Sequence, residues 1–335
     1  MFGLEKTKKT VGPVGQIDAK IALVGEAPGV WELRAGKPFV GPAGSILDAC
    51  LQNAGIVRRD CYITNVIKEH PPKNNITPWF NDRTGFTQKG QEYVEALREE
   101  LEKTKANVFV ALGKVAMCAL TGRKDIITRR GYVMESTLLP RRKVLPTIHP
   151  SACLRGQYVY RYYIASDLKK ALVESDFPEI RYPERTLIAD PGITLQQALE
   201  NLDFIASHKR VAFDIEVIEF QVSCISFATS PDWSFSLPLH RRWTEVEEAQ
   251  LWQRIAAILE DPEIEKIGQN SLAFDCWFLA TTCGIIVRGT HFDTMIGHSI
   301  IYPEMQKGLG FLASIYTHER YWKDMADFKS IKKED

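Results

Sequence analysis

The sequence predicts two α/β domains in tandem, the first a three-layer α/β fold on a mostly parallel sheet. Three observations carry this. Residues 1–175 alternate short apolar strand signals with helical patterns. A polar, proline-bearing stretch, "SDFPEIRYPERT" (175–186), closes this part and places a linker at 176–187. A second α/β pattern then occupies 188–335. Strands separated by helices imply crossover connections and parallel pairing, and ligands of such sheets bind beyond the strands' carboxyl ends.

In the first domain the strand signals are 21–25, 61–66 ("CYITNV"), 107–112 ("NVFVAL") and 144–148 ("VLPTI"). Each is a short apolar run bounded by polar or glycine residues, as a strand buried on both faces requires. Helical patterns fill 44–54, 88–104 and 114–121, and 159–174 reads as a closing helix. Three turns follow the strands, "GEAPG", "NVIKEHPP" and "HPSACLR", and all belong at one edge of the sheet. In the second domain 193–208 reads as a helix. "RVAFDIEV", "VSCISFAT" and "SFSLPL" read as an antiparallel meander, and 244–261 as an amphipathic helix with Thr244 as N-cap.

Composition narrows the class. The chain of 335 residues is 45% hydrophobic and 25% charged, as soluble globular proteins are. No apolar run approaches the ~20 residues of a membrane span, and "MFGLEKTKKT" lacks a signal-peptide core. Seven scattered cysteines form no C-x-x-C pair, so neither a disulfide framework nor a zinc site is suggested. The expected compartment is the cytoplasm. Net charge is zero, yet residues 1–175 carry 27 Lys+Arg against 17 Asp+Glu. A basic first half suits a polyanion such as a nucleic acid.

Two constellations carry chemistry. In the first, Glu26, Phe39, Asn65 and His149 supply what cleavage of a glycosidic-type bond needs. They are a carboxylate for water, a flat apolar surface, a bidentate amide, and a donor for charge on the leaving group. Each also has an ordinary structural reading: a solvated turn glutamate, a core phenylalanine, a loop-capping asparagine, a turn histidine. In the second, "FDIEV" puts Asp214 and Glu216 on one face of a strand. Asn270 and Asp275 follow on an expected helix, and "HFDTM" adds Asp293. Clustered carboxylates repel unless a cation lies between them, although D-x-E also arises as ordinary surface acids.

The linked motifs "GEAPG…GKPFVGPAG…YITNV…PP…ALG…HPSACLR" resemble the uracil-DNA glycosylase superfamily, most of all its family 4 type, over roughly residues 12–175. The resemblance implies a uracil flipped out of DNA. Phe39 would stack on the base, Asn65 would read its edge, His149 would stabilise the departing anion, and Glu26 would position or activate water. Gly25 would allow close approach, Ser151 would bind a phosphate, and Leu154 and Arg155 would wedge and hold the duplex. Family 4 enzymes usually carry an iron–sulfur cluster on four cysteines. Here Glu69 replaces one, Tyr93 falls near another, and no cysteine precedes Cys50, so no cluster is expected.

The second region resembles the DnaQ-like, RNase H-like 3'-5' exonuclease of family A DNA polymerases, with a phage-like segment after "HFDTM". That implies Mg²⁺ or Mn²⁺ on Asp214, Glu216 and Asp275. The third motif, Tyr-x-x-x-Asp, is not met, because Met325 stands four residues after Tyr321. A C-terminally incomplete exonuclease is therefore expected, as part of a longer or split polymerase or beside one. The host cytoplasm is the expected compartment for a phage protein. A rival reading is a non-catalytic uracil-DNA binding module that tethers a polymerase or nuclease. A nucleotide-binding enzyme is disfavoured, because G-x-G-x-x-G and G-x-x-x-x-G-K-[ST] are both absent.

Overall fold

A computed structural model describes residues 10–322. The chain forms two compact units, one of residues up to Tyr182 together with the segment from Gly310, the other of Pro183–Leu309. The segment from Gly310 thus packs with the first unit, whereas the sequence reading assigns it to the second domain.

The first unit runs β1 (Ile21–Gly25), α1 (Val30–Ala35), α2 (Pro42–Ala54), β2 (Cys61–Asn65), β3 (Phe80–Asn81), β4 (Gly85–Phe86), α3 (Gln88–Glu102), β5 (Val108–Leu112), α4 (Lys114–Thr121), α5 (Ile126–Arg129), β6 (Met134–Glu135), β7 (Lys143–Thr147) and α6 (Tyr160–Glu174). The main sheet has the order β2-β1-β5-β7-β6. Its first four strands are parallel, and β6 is an antiparallel edge. Every residue of β1, β2, β5 and β7 is buried, the mark of a sheet covered on both faces. Ala22, Val24, Phe109 and Ala111 pack with Val94, Leu97 and Leu101 of α3 and Met117 and Leu120 of α4. On the other face α6 packs against β5, β7 and α2. Pro42 opens α2 at a position that needs no amide hydrogen, and Gly55 closes it in a left-handed conformation.

The second unit runs β8 (Thr186–Ile188), α7 (Leu195–Ala206), β9 (Arg210–Ile218), β10 (Gln221–Ser230), β11 (Trp233–Pro238), α8 (Glu245–Glu260), β12 (Glu265–Gly268), α9 (Asp275–Phe278), β13 (His291–Asp293) and α10 (Thr294–Ile301). Its sheet order is β13-β12-β9-β10-β11-β8. The meander of β9, β10 and β11 is antiparallel, and β12 joins β9 in parallel. Alternation along β9 buries Val211, Phe213 and Ile215 against Leu202 and Ile205 of α7 and Leu251, Ile255 and Ile258 of α8. Thr194 and Thr244 open α7 and α8 with complete capping boxes. A last helix, α11 (Leu309–Tyr316), leads back into the first unit.

Candidate active site

The parallel register brings the predicted turns together. Gly25 at the end of β1 pairs with Asn65 at the end of β2. Leu112 of β5 pairs with Thr147 of β7, two residues before His149. All four strands therefore deliver their carboxyl ends to one edge.

Gly25 is needed for close approach. A Cβ there would lie 2.3 Å from Asn65 Oδ1 and 2.4 Å from Phe39 Cζ. The Phe39 ring and the Asn65 amide thus rest directly on the end of β1. Phe39 itself adopts φ 54°, a left-handed conformation unusual for a bulky residue. Two groups hold it there. The Glu32 carboxylate accepts hydrogen bonds from the amides of Val40 (3.1 Å) and Gly41 (2.8 Å). The Arg58 guanidinium donates to the carbonyls of Pro38 (3.0 Å) and Phe39 (2.9 Å). Gly44 completes the turn, since a Cβ there would sit 2.0 Å from the Phe39 carbonyl oxygen.

Phe39, Asn65, His149, Ser151 and Leu154 line one cavity of about 420 Å³. Glu26 and Arg155 line a neighbouring cavity of about 290 Å³, whose wall also includes His149, Ser151 and Lys114. The Phe39 and His149 ring centroids are 5.8 Å apart with a 34° tilt. Leu154 is half exposed at the rim. Sequence reasoning missed three residues here. Glu32 and Asn74 both line the first cavity. Glu32 is a buried carboxylate inside a polar motif, and Asn74 lies in a left-handed turn after the double proline. Neither has a pattern signal. Lys114, directly after "ALG", was absorbed into a helix.

Electrostatics separate the two ionisable groups. Burial raises the Glu26 pKa above the ordinary carboxylate value. Arg155 and Lys114 pull it down and Asp82 pushes it up, but burial prevails. Burial, aided by the positive charge of Arg155, lowers the His149 pKa to about 4. The imidazole is therefore neutral at neutral pH. Its Nδ1 accepts from the Ser151 amide at 3.2 Å, which leaves the ring proton on Nε2. Ser151 Oγ lies 2.8 Å from Nδ1, and Arg155 donates to the same hydroxyl at 3.3 Å.

The positions at which the family resemblance calls for thiolates hold other chemistry. The Glu69 and Tyr93 side chains hydrogen-bond to each other, and burial with that bond pushes the Tyr93 phenol pKa up. Thr10 bridges to Glu69 through the backbone. A carboxylate bonded to a phenol is no ligand set for an iron–sulfur cluster, and no step below runs through one.

In the second unit Asp214 and Glu216 project from the same exposed face of β9. Burial and the negative charges of Asp275 and Glu216 raise the Asp214 pKa to about 6. Asp275 is buried and accepts the Ile215 amide at 2.9 Å. Asn270 departs from the expected helix. It takes φ 60° in a turn, and the short helix α9 starts only at Asp275. Asp293 is a helix cap, accepting from Met295 (2.9 Å), Ile296 (3.3 Å) and Asn270 (3.1 Å). Among the described residues no three His, Cys, Asp or Glu side chains gather into a set able to hold a metal ion. The acids have the hardness that Mg²⁺ or Mn²⁺ prefers but not the grouping. The third-motif positions after Trp322 lie outside the described residues. No helix among the described residues is long and apolar enough to cross a membrane.

Comparison with known proteins finds two families along the chain. Residues 13–170 match the uracil DNA glycosylase superfamily, and residues 193–333 match the 3'-5' exonuclease of DNA polymerase A type. The chain is similar to a type-4 uracil-DNA glycosylase of Thermotoga maritima, 37% identical across 50% of this chain and 83% of that protein. It is similar to another of Archaeoglobus fulgidus, 38% identical across 50% of this chain and 83% of that protein. Similarity to a DNA polymerase of Bacillus phage SP01 extends over 96% of this chain at 24% identity but spans only 37% of the polymerase. The chain belongs to the uracil-DNA glycosylase superfamily through its first unit, joined to a domain of the DNA polymerase A type 3'-5' exonuclease family.

Proposed function

We propose that the first unit hydrolyses the N-glycosidic bond of uracil in DNA. The observation that carries this is the single cavity walled by Phe39, Asn65 and His149, which three separate segments bring to one sheet edge. A flipped uracil stacks on Phe39. The Asn65 amide pairs with its Watson–Crick edge, where cytosine would present a donor in place of an acceptor. His149, neutral with its proton on Nε2, donates to the uracil oxygen on which charge builds as the bond breaks. Glu26 in the adjoining cavity orients water toward the sugar carbon. Water's hydroxyl joins that carbon, and the released uracil takes the proton.

Lys114 and Arg155, in the same cavity as Glu26, suit the flanking phosphates. Ser151 contributes a hydroxyl, and Leu154 at the rim occupies the space the base vacates. The exonuclease-family unit is proposed as a DNA-binding partner domain of polymerase type.

The test is uracil release from oligonucleotides that carry one uracil, one thymine or one cytosine at the same place. The reading expects release from the uracil strand alone, with His149→Ala slower by ~10²-fold or more. Tight uracil-specific binding with no release would favour the non-catalytic tethering module instead.

A further inference from the structure

The first unit buries a cluster of three charged side chains, two of which bond to the far end of the chain. Arg130 and Asp167 are each 1% exposed, and Lys170 is 8% exposed. Lys170 Nζ donates to three carbonyls, those of Gly131 (2.7 Å), Ser314 (2.6 Å) and Thr317 (2.8 Å). Two of the three belong to α11 and the residue after it. Arg130 forms a two-pronged ion pair with Asp167 and donates to Ser314 Oγ at 3.0 Å. The Phe311 ring packs against Tyr163 with centroids 4.9 Å apart and a 54° tilt, and the Arg130 guanidinium sits 5.2 Å from both rings. Gly131 is fitted to this approach, because a Cβ there would meet the Ser314 carbonyl oxygen at 2.8 Å.

This is the chemistry of a permanent contact. A buried ammonium without partners is strongly unfavourable. The last carbonyls of a helix lack intrahelical partners and are well served by a lysine. Each side answers the other's unmet need. The network also reaches the active site. Asp167, held by Arg130, accepts a 2.7 Å hydrogen bond from Thr147 Oγ1 at the end of β7. His149 follows two residues later.

We propose that Phe311–Thr317, although inside the exonuclease-family match, is a strap of the glycosylase unit that fixes the His149-bearing strand end through Arg130, Asp167 and Thr147. The strap is a positioning device and touches no substrate. Its activity readout rests on the uracil-release reading, whereas its exchange readout does not.

The experiment uses the full chain with Phe311→Ala, Phe311→Leu and Lys170→Met. Amide hydrogen exchange of residues 143–149 and uracil release are both measured well below the melting temperature. Phe311→Ala and Lys170→Met are expected to speed exchange in 143–149 and to lower kcat by ~10-fold or more with KM little changed, as misplacement of a catalytic group does. Phe311→Leu is expected to restore most of both. If Lys170→Met fails to fold, the Phe311 pair decides. Unchanged exchange in Phe311→Ala would overturn the strap. Faster exchange with unchanged kcat would overturn its link to His149. Wild-type chain that releases no uracil would sink the functional reading, while the exchange result would still decide the strap.

Discussion

Gly25→Ala tests the geometry of the pocket without replacing any side chain assigned to the chemistry. The added Cβ would lie 2.3 Å from Asn65 Oδ1, 2.4 Å from Phe39 Cζ and 2.6 Å from Phe39 Cε2. All are far inside van der Waals contact, so something must move. The Phe39 ring is the poorest candidate to yield, because Arg58 holds the Phe39 carbonyl and Glu32 holds the amides of the next two residues. Overpacking of this kind costs about 1–3 kcal/mol, and each kcal/mol lowers Tm by roughly 2–4 °C for a unit of this size. The effect on rate is larger, because a catalytic constellation displaced by about 1 Å loses ~10²-fold. Single-turnover uracil release and thermal unfolding are measured for Gly25→Ala beside Gly12→Ala. At Gly12 a Cβ meets nothing within 4 Å, so that variant serves as the neutral control. Gly25→Ala with wild-type release would show that Asn65 and Phe39 do not form the base-reading wall.

Five further outcomes are expected. Release should fall on the acid side as Glu26 takes up a proton, with a midpoint above the ordinary carboxylate range. No limb should appear near pH 6.5, because His149 has already lost its proton above about pH 4, and a limb there that vanishes in His149→Ala would contradict this. Asn65→Asp replaces an amide donor with an acceptor and should erode the preference for uracil over cytosine, read as the ratio of kcat/KM on the two oligonucleotides. Lys114→Ala should weaken DNA binding alike for all sequences and reduce the slope of log K against log salt by about 0.9, the value for one phosphate contact; an unchanged slope removes Lys114 from the interface. In the second unit, the Asp214 pKa of about 6 lies above its unfolded value, so burial of the charged form together with like-charge repulsion costs stability above that pH and is relieved as pH falls through it. Asp214→Asn should therefore raise the melting temperature more at pH 8 than at pH 5, and a larger gain at pH 5 would reverse the sign of the argument.

What was legible in the sequence follows from what local pattern encodes. The strands β1, β2, β5 and β7 are short, mostly apolar runs, and their pattern alone sets them within a residue or so of the observed ends. The caps at Thr194 and Thr244 are equally local. The edge strands β6 and β8 have two and three residues and exist only because a neighbour offers free backbone groups. Asn270 reads as helical, yet its amide is taken by Asp293 from 23 residues away, and the chain turns there. Glu32 shows the same limit. Nothing in "GVWELRAG" says that one carboxylate will close a turn eight and nine residues onward. Gly310 onward follows its own segment in sequence, but its carbonyls are claimed by Lys170, a partner no periodicity announces.

The central claim is that this cavity cleaves uracil from DNA with Glu26 directing the water. It is tested most directly by quantifying free uracil released from a single-uracil oligonucleotide by the full chain and by Glu26→Gln. The amide keeps the carboxylate's shape but is a far weaker acceptor for the attacking water's proton, so wild-type chain should release uracil in repeated turnovers and Glu26→Gln should be slower by ~10²-fold or more. Equal release by both would remove Glu26 from the mechanism, and no release by the wild type would contradict the account.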